Sequence, residues 1–299
     1  MKEWKLNGVL PDTPDERDYI LVAAPPVGEE LSTWCDLRQF AREIEDQGHV
    51  GSCVGNATSS CLELYAKSKL DTDKNFSRLF IYWNARQLGG IVGDEGAYLR
   101  DGIKSCNKWG IPEENFWLYD ESKVNTQPDE TAYQEARKNR VTVYERILNS
   151  DRTTIKTTLC EGKSIIMGIS LAESFYSISG PLDQQNYTGI TDDNEFIGGH
   201  AMNIVGYDDN LNGGSYIVEN SWGTDWGDQG YFALPYVVFE KDGYDLWACT
   251  YLKIDMDEED PDYVPVEEPP EPILSPEGTI EELIEKAESF FNGPFNKGK

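Results

Sequence analysis

Asp46-Gln47-Gly48-His49-Val50-Gly51-Ser52-Cys53-Val54-Gly55-Asn56-Ala57 sets the reading of everything around it. Gly48 and Gly51 mark a turn-forming loop. After it Val54, Ala57, Cys61, Leu62 and Tyr65 recur at helical spacing. Cys53 therefore falls in the first turn of a predicted amphipathic helix, where unpaired backbone N–H groups and the helix dipole stabilise a thiolate. Upstream, Gln47 carries an amide donor that can face an oxyanion formed beside the sulfur, together with the N–H of Cys53 itself.

A nucleophilic thiol needs a base, and the chain contains only two histidines. His49 sits in the incoming loop with no orienting partner and is set aside. His200, in Gly198-Gly199-His200-Ala201-Met202, opens a predicted strand, and Asn220 follows in Glu219-Asn220-Ser221-Trp222-Gly223. If the two strands are neighbours, Asn220 accepts from one imidazole nitrogen while the other faces Cys53 as a thiolate–imidazolium pair.

These segments resemble the papain-like cysteine peptidases. The Gln-Gly-x-x-Gly-Ser-Cys loop, the Gly-His-Ala strand and the Asn-Ser-Trp-Gly-x-x-Trp-Gly-x-x-Gly-Tyr run from Asn220 to Tyr231 occur in the family's order. The interval from Cys53 to His200 lies within the approximately 130–150 residues usual for that family, and Asn220 falls slightly beyond it. The resemblance spans roughly residues 32 to 254. It implies an α+β fold of two lobes, a helical lobe followed by a β-barrel-like one, with the active site between them. It also implies that Gly89 and Gly90 pair with an extended substrate strand and that Trp222 shields the Asn–His hydrogen bond. Ile91 and Ala201 would line the pocket for the side chain two residues before the scissile bond, with Met167 and Gly168 near that wall, so a hydrophobic side chain is expected there. Gly89-Gly90 also reads as a plain helix C-cap.

The departures from the family are informative. Val50 stands where many members carry a disulfide-forming cysteine, and Val54 replaces the usual tryptophan after the nucleophile. Besides Cys53 the chain has Cys35, Cys61, Cys106, Cys160 and Cys249, an odd number, so a reducing compartment suits it better than secretion. The prelude Pro11-Asp12-Thr13-Pro14-Asp15-Glu16-Arg17-Asp18-Tyr19, followed by Asp36-Leu37-Arg38, resembles the bacterial and viral branch.

Composition agrees with this reading. The 299 residues are 39% hydrophobic, enough for two packed lobes, and Lys+Arg 26 against Asp+Glu 54 leaves a net charge of −28. So acidic a surface repels nucleic acid and anionic membranes. No apolar run is long enough to span a bilayer, and Met1-Lys2-Glu3-Trp4-Lys5-Leu6 lacks a signal-peptide core. The expected setting is the cytoplasm or, for a virus-encoded protein, the interior of an infected cell.

The chain divides into an N-terminal segment, 1–34, read as a short cover over the cleft or a strap along its back; a catalytic domain, 35–254, with its helical lobe at about 35–140 and its β lobe at about 141–254; an acidic, proline-rich linker, 255–276; and a short amphipathic helix in 277–299, folded back or held for a protein partner. In the helical lobe, further helices are expected from about Ser77 to Gly89-Gly90 and from about Asp94 to Gly110. Short strands are expected at 141–144, 165–169, 201–207, 215–218 and 231–234.

Asp208, Asn210, Asn212, Gly213 and Glu219 match a calcium-loop pattern, but with strands on both sides they read as a hairpin turn, and no metal is expected. The sequons at Asn56, Asn75 and Asn186 are discounted for want of an export signal. The expected activity is cysteine endopeptidase action on peptide or protein substrates, without a cofactor. Transamidation or deamidation on the same triad, and a non-catalytic binding role carried by the tail, are the alternatives.

Overall fold

The computed structural model describes residues 4–6, 8–260 and 269–273; the predicted C-terminal helix and half of the linker lie outside them. In chain order the elements are β1 (Val9–Leu10), β2 (Trp34–Asp36), α1 (Cys53–Leu70), α2 (Arg78–Gly89), β3 (Ala97–Tyr98), α3 (Leu99–Lys108), α4 (Glu130–Ala136), β4 (Arg140–Ile147), α5 (Arg152–Cys160), β5 (Ile165–Ala172), β6 (Phe196–Asp208), β7 (Ser215–Glu219), β8 (Tyr231–Pro235), α6 (Tyr236–Asp242) and β9 (Gly243–Lys253).

α1 is buried on nearly every side from Cys53 to Ala66, not along one stripe, because it packs on α2 and α3 in one lobe and on β5, β6 and β9 in the other. Its close approach to α2 depends on Gly55, where a β-carbon would fall 2.4 Å from the Arg78 carbonyl oxygen. α2 has the ends expected of it. The Ser77 side chain accepts from the Phe80 amide, and Gly90 takes the left-handed conformation that closes the helix. α3 starts at Leu99, later than the periodicity suggests, since Ala97 and Tyr98 pair with Val9 and Leu10 of β1.

The β lobe is one antiparallel sheet in the order β4-β9-β5-β6-β7-β8, with β2 also on β6. Among the described residues it does not close into a barrel. Ile165, Met167, Ile169 and Leu171 of β5 alternate into the β-lobe core, while Ile166 faces the core of the helical lobe. β6 and β7 form a hairpin whose last register pair is Asp208 with Ser215, and Asn212 sits in its turn at φ +52°. The hairpin turn expected after Asp208 is present. Glu219 bonds to Ser60 and Tyr231.

The segment before β2 runs over both lobes. The Leu21 amide donates to the Arg146 carbonyl and the Arg146 amide to the Tyr19 carbonyl, both at 2.8 Å, and the Ala23 amide donates to Thr154 Oγ1 of α5. Nearer the start, the buried Asp12 carboxylate accepts from Trp247 Nε1 on β9 and from the Arg100 amide on α3. Arg100 also pairs with Asp18 at 2.7 Å.

Candidate active site

Cys53 is the first residue of α1 and is fully buried. The loop that delivers it is held from both sides. The Gly51 amide donates to Asp94 Oδ1 at 3.0 Å, and Tyr82 Oη donates to the same oxygen. The Tyr119 hydroxyl donates to the Gln47 carbonyl and accepts from Ser52 Oγ at 2.6 Å. The amides of Ala201, Val54 and Cys53 itself donate toward the Cys53 sulfur.

His200 reaches the same place because β6 pairs with both of its neighbours. Ile169 lies opposite His200, and Asn203 lies opposite Glu219, which sets Asn220 beside the imidazole as β7 ends. His200 Nε2 and Asn220 Oδ1 are 2.7 Å apart. Nδ1 is buried without a hydrogen-bond partner among the described residues. With Nε2–H donating to Asn220, the tautomer leaves a lone pair on Nδ1. Trp222 covers the pair, its ring 5.2 Å from the imidazole and 1% exposed. Its indole is stacked between Trp4, at 4.6 Å, and Tyr176, at 5.5 Å.

Gln47 is also fully buried. Its Oε1 accepts from Ser221 Oγ at 2.7 Å, which turns the amide nitrogen toward the Val50 carbonyl at 3.0 Å and the Lys5 carbonyl at 3.4 Å. His49 is exposed on the loop, its amide donating to Glu121, and takes no part in this arrangement.

Ala201 and Gly168 are register partners at the cleft side of the sheet. Met167 does not join them, because strand alternation turns it into the β-lobe core beside Met202, where it is fully buried. The residue that does stand there is Tyr244 of β9. A β-carbon on Gly168 would meet its ring at 2.4 Å, and one on Gly199 would meet its hydroxyl at 2.7 Å. Nothing in the sequence near Tyr244 marks it, since its position follows from β9 pairing with β5. Gly89, Gly90 and Ile91 form the closed end of α2, with Gly90 exposed.

The cleft is filled by the chain's own start. Lys5 pairs with Asp94 at 2.8 Å, its carbonyl faces the Gln47 amide, and Trp4 lies flat on Trp222. Gly8 lies on the thiol, where a β-carbon would be 2.7 Å from the Cys53 sulfur. Val9, 3% exposed, follows against Gly199. This burial has an electrostatic result. It pushes the Cys53 thiol up to about 12 and holds His200 down to about 4, so desolvation in this covered arrangement favours the neutral form of each group.

Residues 31–241 match the model of the papain family cysteine proteases. The chain belongs to that family. It is 39% identical, over 71% of its length and 70% of the relative's, to an uncharacterized peptidase C1-like protein of Acanthamoeba polyphaga mimivirus. Xylellain, a cysteine protease from Xylella fastidiosa, superposes with a TM-score of 0.74 at 30% identity, covering 84% of this chain and 97% of xylellain. The protease and lectin-like domains of Cwp84 from Clostridium difficile share the fold at 20% identity, with a TM-score of 0.66, covering 85% of this chain and 57% of that one. This papain-like cysteine peptidase thus stands with the viral and bacterial members, as its prelude suggests. Among its described residues no helix is long and apolar enough to cross a membrane.

Proposed function

We propose that the chain is a latent cysteine endopeptidase in which Cys53 is the nucleophile, His200 the base, Asn220 the orienting group and Gln47 the oxyanion donor. The observation that carries this reading is the 2.7 Å His200 Nε2 to Asn220 Oδ1 bond, which leaves Nδ1 as the imidazole's lone-pair nitrogen next to the residue whose amide reaches Cys53. In the reaction Nδ1 takes the thiol proton while sulfur attacks the substrate carbonyl carbon. The resulting oxyanion is held by Gln47 Nε2–H and the Cys53 N–H. Nδ1–H then protonates the departing amine. Water, deprotonated by the same nitrogen, cleaves the thioester and frees the acid. A hydrophobic preference two residues before the scissile bond belongs to the same reading, with Ala201 and Gly168 as register partners there and Tyr244 packed on Gly168.

Residues 4–6 and 8–10 are the cover in this reading. The Lys5 carbonyl bonded to Gln47 and Trp4 stacked on Trp222 stand where substrate would stand, and residues 19–23 strap the same segment to β4 and α5. Hydrolysis of an unbiased peptide library by the full chain and by a chain beginning at Leu31 tests the proposal. Cleavage that is weak in the first, stronger in the second and absent when Cys53 is alanine is the expected result.

A further inference from the structure

Of the five cysteines outside the active site, Cys61, Cys106 and Cys249 are buried, whereas Cys35 is half-buried and Cys160 is exposed. These last two are distant in sequence but meet in the fold. Cys35 lies on β2 opposite Tyr207 of β6, and its thiol donates to the Leu159 carbonyl at 3.4 Å. Cys160, the next residue and the last of α5, has its sulfur 3.3 Å from Tyr207 Oη. The two thiols thus share Tyr207 as a neighbour, Cys35 through its register on β6 and Cys160 through the hydroxyl, and Cys160 is near enough to hold the Cys35 proton more tightly.

We infer that Cys35 and Cys160 are a reversible dithiol–disulfide pair, a redox modification site separate from the catalytic thiol. The oxidant is a low-molecular-weight disulfide such as oxidised glutathione. The exposed Cys160 loses its proton to solvent and attacks one glutathione sulfur, forming a mixed disulfide and releasing one glutathione thiolate. Cys35 then gives its proton to solvent and attacks the Cys160 sulfur, releasing the second glutathione. The two cysteines are oxidised by two electrons, and one oxidised glutathione becomes two thiols. Burial and the neighbouring thiol hold the Cys35 proton tightly, which fits its acting second, as the resolving residue. The bond closes a long loop and staples β2 to α5, the helix that already holds Ala23 through Thr154.

The test is incubation of the full-length chain with oxidised glutathione at pH 8, followed by intact mass and peptide mapping under non-reducing conditions. The expected result is a loss of two hydrogens, a Cys35–Cys160 linked peptide, and a Tm several degrees above that of the reduced chain, all reversed by dithiothreitol. Cys160→Ser, a change at an exposed position, is expected to remove both the linked peptide and the Tm difference. Glutathione remaining on Cys160 with Cys35 still free, or no reaction at either residue, would overturn the inference. So would a Tm difference that persists in Cys160→Ser.

Discussion

Gly8 lies against Cys53 so closely that a β-carbon at residue 8 would come within 2.7 Å of the sulfur and 2.5 Å of the Gly51 carbonyl oxygen. Neither obstacle is the free end of a flexible side chain, so even a methyl group cannot be accommodated without moving the segment. Gly8→Ala should therefore lift residues 4–6 and 8–10 from the cleft and raise kcat/KM on small peptides by about tenfold, equivalent to about 1.4 kcal/mol of lost docking. Initial rates of Gly8→Ala and the parent chain on one fluorogenic peptide decide it. Equal rates would mean that the segment does not limit access.

Trp4 on Trp222 gives an independent route to the same state. Trp4→Ala removes a stacked indole, a contact on the order of 1 kcal/mol beyond its buried area, and activity should rise without loss of the straps at Leu21 and Ala23. Starting the chain at Leu31 removes cover and straps together. That form should be more active and also less stable, with a Tm several degrees lower, and calorimetry beside kinetics separates the two contributions.

The neutral thiol and imidazole of the covered state make a chemical prediction. With burial pushing Cys53 up to about 12 and His200 down to about 4, iodoacetamide should alkylate Cys53 slowly at pH 7 in the full chain. Uncovering rehydrates both groups and favours the ion pair, so the chain starting at Leu31 should react at least about tenfold faster, with a profile reaching to lower pH. Matching pH profiles for the two forms would refute the link between cover and thiol state.

How much of this was legible follows the range of the interactions involved. The helix at Cys53, the Ser77 and Gly90 ends of α2, and the hairpin after Asp208 are set by neighbours in the chain. The contact of His200 with Asn220 followed once their strands were taken as neighbours. Tyr244 and Met167 were out of reach because one depends on β9 lying beside β5, and the other on the phase of alternation within a strand buried on both faces. The electrostatics of the covered arrangement lie equally beyond local sequence. The helix start does favour a thiolate, but desolvation under Gly8 and Val9 outweighs it, and nothing local to Cys53 announces that covering.

Stability should fall as pH rises from 5 to 8. Burial raises Glu63 to about 8, Glu219 to about 7 and Asp12 to about 6, each above its ordinary value. For such groups the folded state binds more protons than the unfolded one. Their stabilising effect is complete below the unfolded values, 4.5 for Glu and 3.8 for Asp, and is lost as pH climbs through the folded ones. Asp36 and Asp209, held low by Arg38 and Lys156 against their own burial, act with the opposite sign but below pH 4, outside this window. Glu63→Gln keeps an oxygen to accept from the Phe76 amide and Ser59, and should raise the Tm at pH 8 while flattening the slope. A Tm that rises from pH 5 to 8 in the parent chain would contradict this.

Within the site, Gln47→Ala should lower kcat on the order of 10²-fold with little change in KM, since its amide is needed only once the oxyanion forms. Asn220→Ala should lower kcat by freeing the imidazole, and His49→Ala should leave it nearly unchanged. Steady-state kinetics of these three variants and of His200→Ala in the chain beginning at Leu31 check all of these, and a loss in His49→Ala equal to that in His200→Ala would reassign the base.

The most direct test is covalent trapping of the nucleophile. The chain beginning at Leu31 is treated with an epoxide thiol trap, residual peptide hydrolysis is followed, and the modified residue is mapped by mass spectrometry. One trap molecule per chain on Cys53, with activity lost in proportion and no labelling in His200→Ala, is the expected result. A label on another cysteine that abolishes activity, or full activity with Cys53 completely modified, would contradict the account.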